Sequence, residues 1–345
     1  MLAGARSPDG GALRVCLAQF TAHDQYRPAS MTLAPSEKPA VVAIYGCTGV
    51  GKTDFSIALA QRLNGEVVNA DSRYLYRRLR IGVAKPTHEQ LKSVRHHLID
   101  VLDPGERAYI PLVQQMAYEA IDDILSRNRL PILVGGTPLY MNAITEGWNV
   151  PEVPPDFEFR KALEARIARD GLEQVRNELA AVDPVAAERS GTNPRRVIRA
   201  LEIHAATGRP MSAIESKSEP PYQFINIGLG RDRDLLRAEV ARRVDDQIAA
   251  GLVEEVRGLL ESGLTGAEPA FSAIGYRQLL PFLSGEIDLE SAITQIKRDT
   301  NRYIRHQSTW LRRRTDIAWF DTGEPGWREA AFALIDSQLA QRKVS

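Results

Sequence analysis

Cysteine is nearly absent: Cys16 and Cys47 are the only two in 345 residues, and they lie far apart. That excludes a disulfide framework and a cysteine zinc site, and it fits a reducing compartment, with the cytoplasm as the expected location. No apolar run approaches the length of a membrane span, so no membrane partner is expected. Net charge is missing too. The 44 basic side chains match 44 acidic ones, so a nucleic-acid partner must be met by a local basic patch, not a global field. There are no internal repeats and no heptads long enough for a coiled coil. Residues 1–38, rich in Gly, Ala, Pro and Ser, lack any sustained period and read as a disordered tail. Leu13, Val15, Cys16, Leu17 and Phe20 are too short and broken a run for a signal-peptide core. Arg6, Arg14 and Arg27 outnumber Asp9 and Asp24, which leaves organelle targeting as the alternative. Met31 is a candidate start, since the fold needs nothing before Pro39.

What is present is ordinary globular composition, 43% hydrophobic and 26% charged, in a length that suits two domains or one domain with an insertion. One stretch organises the rest. Gly46, Cys47, Thr48, Gly49, Val50, Gly51, Lys52 and Thr53 fit G-x-x-x-x-G-K-[ST], the phosphate-cradling loop. An apolar, β-branched run from Ala40 to Tyr45 precedes it and reads as a buried strand. Phe55, Ile57, Leu59 and Leu63 follow at helical spacing until Asn64-Gly65 stops the helix. Glycines let successive backbone N–H groups turn inward, and the helix N-terminus adds positive partial charge. Lys52 adds a full charge, and the Thr53 hydroxyl can ligate Mg²⁺. The loop establishes a di- or triphosphate site, not the fate of the phosphate.

Residues 39–150 read as α/β. Glu66 to Asp71 is a second strand ending in an acid, Leu98 to Val101 a short edge strand, and Val113 to Leu125 a helix. Leu130 to Val134 is a buried strand breaking into Gly135-Gly136-Thr137. Strands alternating with helices predict a parallel sheet, flanked by helices, with ligands at its carboxyl edge. Between Pro151 and residue 194 the pattern changes. Pro154 and Pro155 punctuate the exit, and Leu163, Ile167, Leu172, Val175 and Leu179 fall on helical periods. This predicts a small all-α insertion over 151–194, with the helix from Arg195 to Thr207 returning to the P-loop core, which resumes over 195–325. Ile225 to Leu229 is a further strand. Long helices follow around 233–262 and 289–313, and a C-terminal helix or tail occupies 326–345.

Asp71 sits at the end of a strand expected beside the phosphate loop, where a carboxylate binds Mg²⁺ or acts as a general base; a helix N-cap is the bland alternative. A second clue is an absence. Nucleotide hydrolases of this class usually end an apolar strand in the acid that holds Mg²⁺, and here Ile132-Leu133-Val134 ends in Gly-Gly-Thr. Between Ile293 and Arg314 seven positive side chains, Lys297, Arg298, Arg302, Arg305, Arg312, Arg313 and Arg314, face one acid, Asp299, which suits a phosphate backbone. Tyr303, His306 and Trp310 interleave and could stack on bases, although such aromatics are more often core. Arg195, Arg196 and Arg199 form a second basic cluster. His96 and His97 have no metal-ligating company and read as structural.

At this point the residues carry a resemblance. From about Val41 to Phe320 the chain resembles the tRNA dimethylallyltransferases, also called tRNA isopentenyltransferases. The matching stretches are the phosphate loop, Ala70-Asp71-Ser72, Ile81 to Thr87, His96 to Pro104, Leu133 to Thr137, Arg196 to Glu202 and Thr207 to Pro210. Gly251 to Val256, Ala273 to Gln278 and Gln307 to Trp310 continue the series. The resemblance implies transfer of the dimethylallyl group of dimethylallyl diphosphate to N6 of the adenine 3′-adjacent to the anticodon in tRNA, with release of pyrophosphate. On that basis the loop holds the diphosphate rather than ATP. Lys52 and Mg²⁺, ligated by Thr53, draw charge off the leaving group. Asp71 accepts a proton from, or hydrogen-bonds, the attacking amine, and Thr137 contacts the target nucleotide or leaving group. The adenine must flip out of its stack. Ser72, Arg73 and Tyr74 accompany Asp71 on the tRNA side. Arg160, Arg195, Arg196 and Arg199 match positions that touch tRNA, with Arg302 and Arg305 on the basic helix, and the insertion resembles a mobile domain clamping the anticodon stem-loop. A monomer is expected.

The chain also departs from the family. Family members usually read Asp-Ser-x-Gln-x-Tyr, and Tyr74 stands where the adenine-reading Gln is expected. Thr137 is followed by Pro138 instead of Gly. Arg195 replaces a Gln. Glu239 stands where a basic residue is expected, while Arg243 remains. These positions bear on acceptor choice and rate. No Cys/His zinc module follows the core, which favours a bacterial or organelle-type enzyme. The alternatives are an adenylate isopentenyltransferase, which needs neither the insertion nor the basic helix; a P-loop kinase or NTPase, against which the missing strand-end acid speaks; and a catalytically weak tRNA-binding protein, which Tyr74 and Glu239 keep open.

Overall fold

The structure, a computed structural model, describes residues 38–342, and the expectations for the preceding tail lie outside the described residues. An aliphatic run without polar alternation has to be buried on both faces. Val41 to Tyr45 are fully buried because β1 (Ala40–Gly46) is an inner strand of a six-stranded sheet. With it lie β2 (Gly65–Asn69), β3 (His96–His97) and β4 (Leu130–Val134). The ribbon of β5 (Trp148–Asn149) and β6 (Ser216–Lys217) is separate and antiparallel, and β7 (Gln223–Gly230) and β8 (Ala318–Asp321) complete the main sheet. The order is β3-β2-β4-β1-β7-β8, with every pairing parallel.

Helices α1 (Lys52–Leu63), α2 (His88–Ser93), α3 (Ile110–Ser126) and α4 (Pro138–Thr145) accompany the first strands. The chain then runs through α5 (Phe157–Asp170), α6 (Leu172–Val182), α7 (Pro184–Ser190), α8 (Pro194–Thr207) and α9 (Met211–Ile214) between the two strands of the ribbon. Helices α10 (Arg233–Ala249), α11 (Leu252–Glu261), α12 (Tyr276–Leu283), α13 (Leu289–Leu311) and α14 (Trp327–Arg342) return to the sheet. Among the described residues no helix is long and apolar enough to cross a membrane.

Four sequence expectations change. The edge strand expected over Leu98 to Val101 is instead β3, because Leu98 and Asp100 have φ of 60° and 57°, which no strand accommodates. The second strand ends at Asn69, two residues before Asp71. The helix expected over 233–262 breaks at Gly251, whose φ is 96°. The helix expected to rejoin the core at Arg195 packs elsewhere. Val197, Ile198 and Ala200 of α8 share an apolar cluster with Leu163, Val175 and Leu179, apart from the sheet's core. Periodicity marks which face of a helix is apolar; it does not say which lobe that face meets.

One buried charge sits on the sheet. Glu66 of β2, 1% exposed, accepts hydrogen bonds from Arg127 Nη2 at 2.9 Å and sits 2.7 Å from His97 Nε2, with Arg129 Nη1 at 3.3 Å. This accounts for His97 as a structural residue. The Arg127 hydrogen bonds, against burial, hold the Glu66 carboxyl at about 2 instead of its usual 4.5. Its contribution to stability is therefore complete above about pH 4.5 and is lost as pH falls towards 2. Glu66→Gln is expected to lower stability at neutral pH by roughly 1–3 kcal/mol, because it removes the charge-assisted hydrogen bonds from Arg127, which keeps only Asp123. Urea unfolding across pH should show that deficit shrinking on acidification; a constant deficit would contradict the assignment.

Candidate active site

Three strand ends meet at the carboxyl edge of the sheet. The phosphate loop leaves β1, Gly135-Gly136-Thr137 leaves β4, and Asp71 follows β2. Because β4 pairs with both β1 and β2, its glycine turn lies between the loop and the acid.

In the loop, Gly49 and Gly51 have φ of 86° and 84°, which turns main-chain amides inward ahead of α1. Gly46, Cys47 and Val50 are buried. Lys52 Nζ donates to the carbonyls of Gly46 at 3.0 Å and Cys47 at 2.8 Å. Burial lowers the Lys52 ammonium to about 8, with Asp71 pushing the other way. Burial also raises the Cys47 thiol, whose sulfur lies 3.2 Å from Ser308 Oγ. Thr48 N donates to Gln307 Oε1 at 3.1 Å. Thr53 occupies the second position of α1.

Asp71 is held in place from both sides. Its N–H donates to Asn69 Oδ1 at 3.0 Å, and its Oδ1 accepts from Arg73 N at 2.9 Å. That leaves Oδ2 for the cleft. A Cβ placed on Gly136 would lie 3.0 Å from Asp71 Oδ2, 3.1 Å from Gln307 Nε2 and 3.7 Å from Lys52 Nζ. Acid, ammonium and amide therefore converge on one small space. Thr137 Oγ1 accepts from Ser72 N at 3.0 Å and donates to Ser72 Oγ at 3.3 Å, which ties the turn after β4 to the segment after β2. The Gly136 carbonyl accepts from Gln307 Nε2 at 2.5 Å and from the Tyr303 hydroxyl at 3.2 Å. Burial and the nearby Asp71 push the Tyr303 phenol up.

Tyr74 turns its hydroxyl to the Ala84 carbonyl at 2.7 Å, and burial pushes the phenol to about 12 with help from Asp71. It thus braces the Ile81 to Thr87 stretch and neighbours Thr53. Glu239 pairs with Arg242, at 2.6 Å, on α10. The donor set suits Mg²⁺. Among the described residues no cluster of three or more His, Cys, Asp or Glu side chains could hold a metal by itself. One hydroxyl, Thr53, beside a phosphate cradle is the arrangement of an ion ligated mainly by substrate phosphates and water.

A cavity of about 670 Å³ opens beside this centre, between the sheet and the insertion, with Ser72, Arg73, Arg160 and Arg199 in its wall. Arg160 and Arg199 are aimed by one buried carboxylate, Glu202, 2% exposed. Arg160 Nε and Nη2 reach its two oxygens at 2.7 and 2.6 Å, and Arg199 Nη1 donates at 2.5 Å. Burial raises the Glu202 carboxyl, but these hydrogen bonds outweigh it and the net direction is down. Arg195 and Arg196 are exposed on α8 and do not line this cavity.

Arg302 and Arg305 are exposed on α13 with Arg298, and Arg312 and Arg313 are exposed just past its end. Two members of the expected basic segment serve the fold instead. Arg314, 10% exposed, donates to Asp316 at 2.6 Å and to Asn142 at 3.0 Å, and Lys297 pairs with Asp245 at 2.7 Å. Tyr303 turns into the cleft, away from any stacking role on the surface. Gln307 was missed as a site residue. The one signal was a glutamine on the apolar face of an amphipathic helix, where it is 1% exposed. The assembled site can grip a diphosphate against backbone amides and an ammonium while one carboxylate oxygen faces a nucleophile entering from the cavity.

The family model described as IPP transferase matches residues 74–314, and one described as isopentenyl transferase matches residues 39–103. The tRNA dimethylallyltransferase of Thermomicrobium roseum is 50% identical over 307 residues, 89% of this chain and 93% of that protein. That of Chloroflexus aurantiacus is 45% identical over 84% of this chain and 98% of its own. The crystal structure of the full-length tRNA isopentenylpyrophosphate transferase from Bacillus halodurans superposes with a TM-score of 0.67 at 38% identity, covering 89% of this chain and 98% of that one. A eukaryotic dimethylallyltransferase captured acting on tRNA gives 0.71 at 26% identity, over 88% of this chain and 80% of that one.

Proposed function

Because the chain belongs to the IPP transferase family, the family of the tRNA dimethylallyltransferases, we propose that it moves the dimethylallyl group of dimethylallyl diphosphate to N6 of the adenine 3′-adjacent to the anticodon. The observation that supports this most is the convergence of Asp71 Oδ2, Lys52 Nζ and Gln307 Nε2 on the space in front of Gly136. The amides of Gly46 to Thr53 and the Lys52 ammonium hold the diphosphate. Mg²⁺, bound by Thr53 and the diphosphate, would offset charge on the departing pyrophosphate. The allylic C–O bond breaks with its electron pair leaving on pyrophosphate, the N6 lone pair forms the new C–N bond, and the N6 proton passes to Asp71 Oδ2. Ser72 and Thr137 fix the turn on which this depends, and Gln307 ties the donor loop to it. Arg73, Arg160, Arg199, Arg302 and Arg305 form the tRNA side, with Arg195 and Arg196 farther along the insertion, while Tyr74, turned to Ala84 beside Thr53, does not join them. The enzyme acts as a cytoplasmic monomer.

Of the three readings kept in reserve, two make different products and the weak tRNA-binding protein makes none. Radiolabelled dimethylallyl diphosphate offered with total tRNA or AMP should place label in tRNA alone. Labelled AMP would establish the free-nucleotide reading, and phosphate transfer without prenylation the kinase reading. The tRNA KM should rise steeply with salt, with about one unit of log–log slope lost for each exposed arginine removed from α13.

A further inference from the structure

The cavity beside Asp71 has a wall that the reaction does not use. Five large apolar side chains stand out as exposed among the described residues, and three of them gather here. Tyr109 (49% exposed) and Leu139 (37%) line the cavity, and Phe157 (47%) stands at its lip under Arg107, another lining residue. Arg107 lies 4.1 Å above the Phe157 ring. That contact crosses from the segment before α3 to the first residue of α5, so it joins the sheet lobe to the insertion. Arg107 is exposed as well as lining the cavity.

We infer that Tyr109 and the Arg107–Phe157 pair form a stacking clamp for the unpaired nucleotides that flank the reacting adenine. This rests on the tRNA reading given above and adds where the neighbours of the flipped base go. Rings and guanidinium planes are the surfaces on which unstacked bases are held, and each such stack contributes without regard to base identity. The charge of the cavity favours the same occupant: Arg73, Arg107, Arg160 and Arg199 outnumber Glu152 in its lining and Glu202, which pairs with two of them from behind. Position agrees as well. Ser72 and Arg73 line the cavity and follow Asp71 directly, so the cavity adjoins the carboxylate to which the reacting base is presented. Extruding one base from a loop breaks stacking on both sides of it, and the clamp replaces what is lost.

The test uses the intact enzyme and an anticodon stem-loop carrying 2-aminopurine on either side of the target adenine. Wild-type enzyme should quench the probe on binding. Tyr109→Leu, at a half-exposed position that the core does not need, should raise the stem-loop KM roughly tenfold with kcat nearly unchanged and should abolish most of the quenching. Tyr109→Phe, which keeps the ring, should restore both, and Phe157→Leu should behave like Tyr109→Leu. If wild type prenylates the stem-loop and the leucine variants match it in KM and quenching, the clamp is overturned and the function stands. If wild type transfers nothing to the stem-loop, the function falls and takes the clamp with it.

Discussion

Asp71→Asn is expected to lower kcat for prenyl transfer by ~10²–10⁴-fold, the range that a positioned general base contributes. Asparagine is the informative replacement because it keeps the local structure. Its carbonyl oxygen still accepts from Arg73 N, the 2.9 Å bond that sets the turn, and the main-chain N–H still reaches Asn69. What disappears is the basic oxygen at Oδ2 and the negative charge. Affinity for tRNA should stay within about threefold, since no phosphate contact is removed. A second readout follows from Lys52. The Asp71 charge raises the Lys52 pKa against burial, which alone drives it down. Without Asp71 the ammonium deprotonates at lower pH, so donor KM should begin to rise below the pH near 8 at which the parent enzyme loses its lysine charge. Turnover within threefold of wild type would remove Asp71 from the chemistry.

Gly136→Ala should reduce prenyl transfer by ~100-fold or more while leaving the protein folded, since misplacing reacting groups by about 1 Å has effects of that size. The main chain at Gly136 lies outside the left-handed region, so alanine is acceptable to the backbone. The new methyl would instead meet Asp71 Oδ2 at 3.0 Å and Gln307 Nε2 at 3.1 Å, both ends of side chains that can move aside. Each movement matters. Displacing Oδ2 withdraws the proton acceptor, and displacing Gln307 breaks its bonds to the Gly136 carbonyl and to Thr48 N in the phosphate loop. Thermal unfolding should change by only a few degrees while kcat collapses. A variant that retains its rate would mean that the reacting atoms pass elsewhere.

The parts of this site that lay open in the sequence are those built from neighbours along the chain. The phosphate loop needs only its own glycines, its lysine and the helix that follows, and the order strand, loop, helix declares it. The end of β4 in Gly-Gly-Thr was equally plain. Contacts between distant segments were not. Nothing near Asp71 says that Asn69 and Arg73 N will fix its orientation and leave Oδ2 free. Gln307 looks like one more polar residue in a family motif until α13 crosses the loop. Arg314 carries the same charge as Arg313 in a basic run, yet Asp316 and Asn142 draw it into the fold. Tyr74, read as a lost adenine contact, turns to the Ala84 carbonyl. In each case the residue type was visible and its partner was a hundred or more positions away, or depended on a backbone turn that periodicity does not register. Domain limits suffered likewise: α8 has the same amphipathic pattern whether it covers the sheet or the insertion.

The strand order has a consequence for distance. Neighbouring strands repeat every ~4.8 Å, and β4 stands between β1 and β2, so the grip that leaves one and the carboxylate that follows the other start ~10 Å apart. No loop has to measure that interval. The hydrogen-bond lattice of the sheet acts as a ruler, and a carbon handed across β4 takes its span of travel from peptide geometry, whatever the surrounding segments become.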